Sequence, residues 1–196
     1  MKIPIFPLNG AIMFPNTNLP LNIFEERYID MVDYSLSNNK IIGMIQHRGN
    51  NELYDIGCFG KITAFNETPD KRYIINLEGK NCFKVIKEIS SDRKFRLCEI
   101  EVFEDYNNNK LSDELKIELI NYYKKYNEIK NINLGFDEVS QLNIVDLLKL
   151  IVMVSPFDTS IKQLCLEIKS NTELYESVLS ALKIELASSQ QNVSVN

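Results

Sequence analysis

The chain has 196 residues, with 27 acidic against 22 basic side chains and a formal net charge of −5. Its hydrophobic fraction of 44% and charged fraction of 25% are ordinary for a globular chain, which at this length forms one large or two small domains. The acidic balance argues against a broad nucleic-acid footprint, which needs clustered cations; Lys124-Lys125 and the group Arg93, Lys94 and Arg96 read first as solvated surface.

In chain order, the N-terminus is apolar, but Lys2 is its only early cation, and Pro4, Pro7 and Asn9-Gly10 break the helix of an export signal. KIPIF and AIMF read as strands. Next comes FPNTNLPLNIFEERY, residues 14 to 28, in which Pro15 and Pro20 fix φ and Asn16 and Asn18 tolerate turn conformations, so the spacing predicts a shaped loop. Asn22 followed by Glu25 reads as a capping box, which predicts a helix from about residue 23 to Asn38-Asn39. Phe24, Tyr28, Met31, Val32, Ser35 and Leu36 would share its face, with Phe24 pinning the helix to the body of the domain.

IIGMIQ reads as a buried strand, and GCFGKITAFNE, RYIINLEG, NCFKVIKEI and FRLCEIEVF as four longer ones with polar breaks. A closed or nearly closed barrel hides that many strand edges most economically, and Gly57 and Gly60 suit a bulge or bend. After Tyr106 a run of Asn gives way to helical periodicity, so a boundary is expected there. Ser112 opens a helix carrying Leu115, Leu119, Tyr122, Tyr123 and Tyr126; Asn143 to Val154 is apolar nearly all round and should be the buried centre of a small bundle. A third helix runs from about Asp158 to Ile168, and the capping box Ser170 to Glu173 starts a last one with Leu174, Val178, Leu182 and Leu186 on its face. The run from Ile144 to Val154 is interrupted by Asp146 and Lys149 and falls far short of the roughly 20 apolar residues of a membrane span.

PIFPLNGAIMFP, FPNTNLPLNIFEERY, IIGMIQ, YDIGCFGKITAF, the turn Pro69 to Tyr73, YIINLEGKNCFKVIKE and VMVSPFDTSIKQLCLE, in that order and spacing, closely resemble the Lon N-terminal (substrate-binding) domain family. The resemblance covers almost the whole chain. It implies an α+β fold: an N-terminal PUA-like β pseudobarrel with one packed helix, followed by a C-terminal α-helical bundle. The expected organisation is 1–106 for the barrel, 107–111 for a polar loop, 112–187 for the bundle and 188–196 for a disordered tail. Two positions depart from the family's pattern, Asn16 and Lys71, each standing where Gly is usual.

The chain contains no GxxxxGK[ST], hence no cradle for nucleoside phosphates. Lon proteases carry an ATPase and a Ser-Lys protease module after this domain, and the chain matches neither, so the resemblance implies the binding part without the chemistry. No enzyme activity and no cofactor is expected. Cysteines 58, 82, 98 and 165 form no metal-binding spacing and read as buried apolar residues of a reducing cytoplasm; Cys82 and Cys98 could lie on neighbouring strands. His47 with Cys58 could in principle make a nucleophile pair, but no orienting Asn or Asp accompanies them, and Glu26 with Asp30 reads as solvated helix surface.

What remains is binding. The resemblance implies recognition of unfolded or exposed apolar protein segments, through candidates Phe14, Pro15, Leu19, Pro20, Leu21, Phe24, Glu25, Arg27, Tyr28 and Met44. Each apolar candidate reads first as core, since apolar residues at regular spacing are usually inside, and Arg27 beside Tyr28 as a tie between helix and barrel. The partner is thus a protein, either an unfolded polypeptide or a protease, with a dedicated folded partner as the alternative and RNA as a third reading that the charge opposes. The oligomeric state is left open.

Overall fold

The computed structural model describes residues 1–49, 52–103, 110–132 and 141–193, with side chains to residue 189. The chain divides into two compact units, Met1–Asp105 and Tyr106–Asn196. Residues 107–109 of the expected polar loop, and 194–196 of the expected tail, lie outside the described residues.

The first unit holds β1 (Lys2–Leu8), β2 (Asn18–Ile23), α1 (Glu26–Leu36), β3 (Ile41–Gly49), β4 (Glu52–Leu53), β5 (Ile56–Glu67), β6 (Tyr73–Ile89) and β7 (Arg96–Val102). Neighbouring strands run β1-β7-β6-β5-β3, and a parallel pairing of β1 with β3, Ile5 opposite Gly43, closes the ring. Closure removes the edges that an open sheet of this size would present. Ile3, Ile5, Ile45, Phe59, Phe83, Cys98 and Ile100 form a buried cluster in this unit. Residues of the other parity on β1 and β3, such as Phe6 and Met44, are also buried, because α1 lies over β1 and β3 with Tyr28, Met31 and Val32 buried. The Phe6 and Tyr28 rings stand 4.3 Å apart.

Four local expectations change. RYIINLEG and NCFKVIKEI are one continuous 17-residue strand, β6, because Gly79 lets the chain pass where a Cβ would strike the Phe14 carbonyl. AIMF is no strand; residues 11–14 lie as irregular chain, with Ile12, Met13 and Phe14 buried. NLPLNI is a strand, not a loop, and pairs with the first half of β6, Leu21 opposite Ile75. With Asn22 held opposite Ile74, the capping box cannot form: α1 starts at Glu26, capped by Glu25 without a side-chain hydrogen bond. The expected bulge is present, between Phe59 and Gly60.

The second unit holds α2 (Asp113–Lys130), α3 (Ile144–Val154), α4 (Thr159–Glu167) and α5 (Asn171–Val193). The Asn143 side chain caps α3 by accepting from the Asp146 amide at 2.9 Å, and Asn131 ends α2 in the left-handed region. Leu147, Leu148, Ile151 and Val152 of α3 are buried, as are Leu119, Tyr123 and Tyr126 of α2 and Val178 and Leu182 of α5. The Tyr175 hydroxyl donates to Glu118 at 2.8 Å, and Lys130 pairs with Glu185 at 2.8 Å. The last helix continues to Val193, past the expected end at 187. The Ser188 and Ser189 hydroxyls donate back to the carbonyls of Ile184 and Glu185, at 3.0 and 2.8 Å.

Asn16 and Lys71, the two departures from the family's glycines, both sit at φ +63°. Asn tolerates this region; Lys does not, and a left-handed residue with a Cβ costs about 1–2 kcal/mol. Lys71→Gly should therefore stabilise the domain by about 0.5–1 kcal/mol after the entropy glycine adds to the unfolded chain, read as a higher melting temperature. An unchanged or lower temperature would mean that the turn at residues 68–72 is held elsewhere.

Candidate functional site

Beyond Gly60 and Gly79 the β5–β6 ladder leaves the barrel and, with β2 on its other side, makes a three-stranded arm. Ile23, Ile62, Ile75 and Leu77 are buried along it, and Leu19 and Leu21 half-buried. At its outer end apolar side chains reach solvent: Phe24 is 65% exposed, Ile74 46% and Phe65 43%. The Phe65 ring stands edge-on to Tyr73 at 4.9 Å. Burial, and then a hydrogen bond to Asp33, raise the Tyr73 phenol above its ordinary value, which ties the arm to α1.

The sequence candidates separate accordingly. Phe14, Tyr28 and Met44 are buried, so Phe14 and Met44 belong to the core and not to an uncovered patch. Phe14 is locked into a turn in which Thr17 Oγ1 donates to its carbonyl at 2.7 Å, while the Asn16 amide reaches the Gly79 carbonyl at 2.9 Å. Tyr28 packs on Phe6, and burial pushes its phenol above the ordinary value. Arg27 lies over the Tyr28 ring at 4.4 Å and pairs with Glu25 at 2.8 Å, so both charged residues are committed to the start of α1. Pro15, Leu19 and Leu21 are half-buried, and Pro20 is exposed. Phe24 does not pin the helix; it stands in solvent at the junction of β2 and α1. Phe65 and Ile74 were missed because alternation alone assigns them to paired strand.

Two edges of the arm differ. The Gly79 amide donates to the Thr17 carbonyl, so along β2 residues 19, 21 and 23 turn their backbone toward β6, and Asn18, Pro20 and Asn22 turn theirs outward. Pro20 has no amide hydrogen, which breaks the outer donor row and disfavours strand addition there. On β5, Lys61 is paired with Ile41 and the Ile62 amide donates to Lys40, but among the described residues no strand covers the outer edge of 63–67. This edge is open.

Reactive and anion-binding alternatives are not assembled. His47 stands three residues along β3 from Met44, the register partner of Cys58, which puts His47 on the opposite face roughly 10 Å away. Among the described residues no His/Cys/Asp/Glu group could hold a metal ion. Arg96 is engaged by both oxygens of Glu88 at 2.9 and 2.6 Å, Lys94 by Glu26 at 3.2 Å, and Arg93 lies over Tyr34 at 4.3 Å, so the basic group is largely neutralised. The hydrogen bond from Arg96 holds the Glu88 carboxyl below its usual range. The second unit has its own exposed apolar surface, a groove of about 330 Å³ between α4 and α5 with Leu164 and Ile184 on its walls.

A closed β-barrel carrying an arm and one packed helix, joined in sequence to a helical bundle, is the architecture of the Lon N-terminal domain. Residues 2–183 match the ATP-dependent protease La (LON) substrate-binding domain, and the chain belongs to that family. It is 23% identical over 198 residues to a Lon protease of Buchnera aphidicola subsp. Acyrthosiphon pisum, covering 95% of this chain and 25% of that protein. It is 28% identical over 134 residues to the Lon protease of Dictyoglomus thermophilum, covering 63% of this chain and 16% of that protein. The chain thus spans at most a quarter of these relatives, and the match lies in the substrate-binding domain, outside their ATPase and protease modules. The fold is similar to that of a Lon N-terminal domain protein from Xanthomonas campestris (TM-score 0.68, 18% identity, 92% of this chain and 98% of that one). It is equally similar to the N-terminal domain of the Mycobacterium avium complex Lon protease (TM-score 0.69, 14% identity, 93% and 98%).

The separation of buried from exposed aromatics has a direct test in thermal unfolding of two variants. Tyr28→Ala should cost about 3–5 kcal/mol, as for a buried aromatic, whereas Phe24→Ala should change stability by less than about 0.5 kcal/mol. A large loss from Phe24→Ala would restore it to the core.

Proposed function

We propose that this chain is a non-catalytic polypeptide-recognition module that holds unfolded or exposed apolar segments of other proteins, as part of protein quality control in the cytoplasm. The observation that carries the reading is the exposed apolar end of the arm, Phe24, Phe65 and Ile74, on a sheet along which Ile23, Ile62, Ile75 and Leu77 are buried. Phe65 lies on the face of the arm that carries Tyr73 and Ile75, and Ile74 on the opposite face, so the outer end presents exposed large apolar groups on both faces, a common mark of an interaction surface. The open edge at residues 63–67 adds main-chain hydrogen bonding, which is indifferent to client sequence, while the rings supply contact with apolar client side chains. Family membership supports the same reading, since the family is defined by substrate binding. The ion pairs of Glu25 with Arg27 and Asp70 with Arg72 flank this surface and keep its surroundings polar.

Fluorescence anisotropy of a labelled, permanently unfolded polypeptide, of the same protein folded, and of a short single-stranded RNA tests it. Saturable binding of the unfolded form alone, weakened at least tenfold by joint Phe24→Ser and Phe65→Ser substitution, is the expected result. Equal binding of the folded protein, binding of RNA, or indifference to the two substitutions would overturn the assignment.

A further inference from the structure

Cys58 on β5 and Cys82 on β6 are direct register partners where the arm joins the barrel. Two backbone hydrogen bonds fix which kind of partners they are. The Val85 amide donates to the Asp55 carbonyl at 2.8 Å, which makes 55/85 a hydrogen-bonded pair; counting along the ladder, 56/84 and 58/82 are non-hydrogen-bonded pairs. Independently, the Cys82 carbonyl accepts from the Phe103 amide at 3.0 Å on the side away from β5. Non-hydrogen-bonded antiparallel partners hold their Cα atoms about 4.5 Å apart with side chains on the same face, inside the roughly 4.4–6.8 Å that a disulfide spans. Both residues are thiols in this structure, 0% and 2% exposed.

We propose that Cys58 and Cys82 are a redox site, a cross-strand dithiol that closes to a disulfide on exposure to hydrogen peroxide and staples the base of the arm. One thiolate attacks peroxide, forming an S–O bond and breaking O–O, and the departing hydroxide takes up the thiol's proton as water. The second thiolate attacks the sulfenic sulfur, the S–S bond forms, and the second hydroxide leaves as water with the second thiol's proton. Two thiols are oxidised by two electrons and one peroxide is reduced to two waters. Burial excludes bulky oxidants and makes the first step slow, while the register makes the second fast, so the pair passes from dithiol to disulfide with little sulfenic acid accumulating.

The other two cysteines have no such option. Cys98 lies opposite Glu88 on one side and Ile3 on the other, so no sulfur stands opposite it, Cys82 being six residues away along β6, and burial raises its thiol to about 11. Cys165 belongs to the helical unit, with burial again raising the thiol to about 11. The disulfide encloses residues 59–81, the whole arm hairpin, and constrains the unfolded chain by that loop.

The test uses the intact folded chain treated with hydrogen peroxide, then denatured, alkylated with N-ethylmaleimide and weighed. The expected product carries two alkyl groups in place of four, yields a proteolytic fragment joining Cys58 to Cys82, reverts with dithiothreitol, and melts higher than the reduced protein. The Cys58→Ser variant, confirmed folded by circular dichroism, should form no link. Retention of four alkylatable thiols, oxidation to sulfinic or sulfonic acid without a link, or a link through Cys98 or Cys165 would each overturn the proposal.

Discussion

The first unit depends on a single strand being long enough to belong to two sheets. The inner half of β6 pairs with β5 and β7 and completes the barrel; its outer half pairs with β5 and β2 and makes the arm. Gly79 stands where the two halves meet. A Cβ there would collide with the Phe14 carbonyl, and its own amide and carbonyl are bonded to Thr17 and Asn16. The segment carrying Pro15 is thereby clamped to the middle of β6, which explains why Ile12, Met13 and Phe14 are buried without belonging to any strand.

Once the arm exists, its surface follows from how little covers it. Residues such as Ile75 and Leu77 find cover, but Phe65, Ile74 and Phe24 lie beyond it. The ion pairs around them are exposed and screened by solvent, so they do not hold the arm in place; the backbone ladder and the buried aliphatic side chains do. For the proposed client, a paired sheet with exposed apolar side chains at its outer end would give up little conformational entropy when an extended chain settles on it.

Much of this was legible in the sequence. The helical unit was the most legible part, because α3 is apolar nearly all round and begins with a residue that caps, and because the faces of α2 and α5 repeat at helical spacing. The barrel was legible as a class from strand count and polar breaks, and its family from the order of its motifs. What was hidden depended on pairing between distant residues. Nothing local distinguishes NLPLNI as a strand from a loop rich in Pro and Asn until its partner on β6 is known, and that pairing also removes the capping box and moves Phe24 from the core to solvent. The Cys58–Cys82 pairing was equally invisible: spacing suggested neighbouring strands for Cys82 and Cys98, and only the register puts Glu88 opposite Cys98.

The central claim is that clients are held by the outer end of the arm. Amide hydrogen exchange of the protein, measured alone and saturated with a permanently unfolded polypeptide, tests it most directly. The account predicts added protection on residues 63–67 and around Phe24, with the barrel ladder of β1, β3 and β7 unchanged. Protection confined to the α4–α5 groove, or spread evenly over the chain, would contradict it.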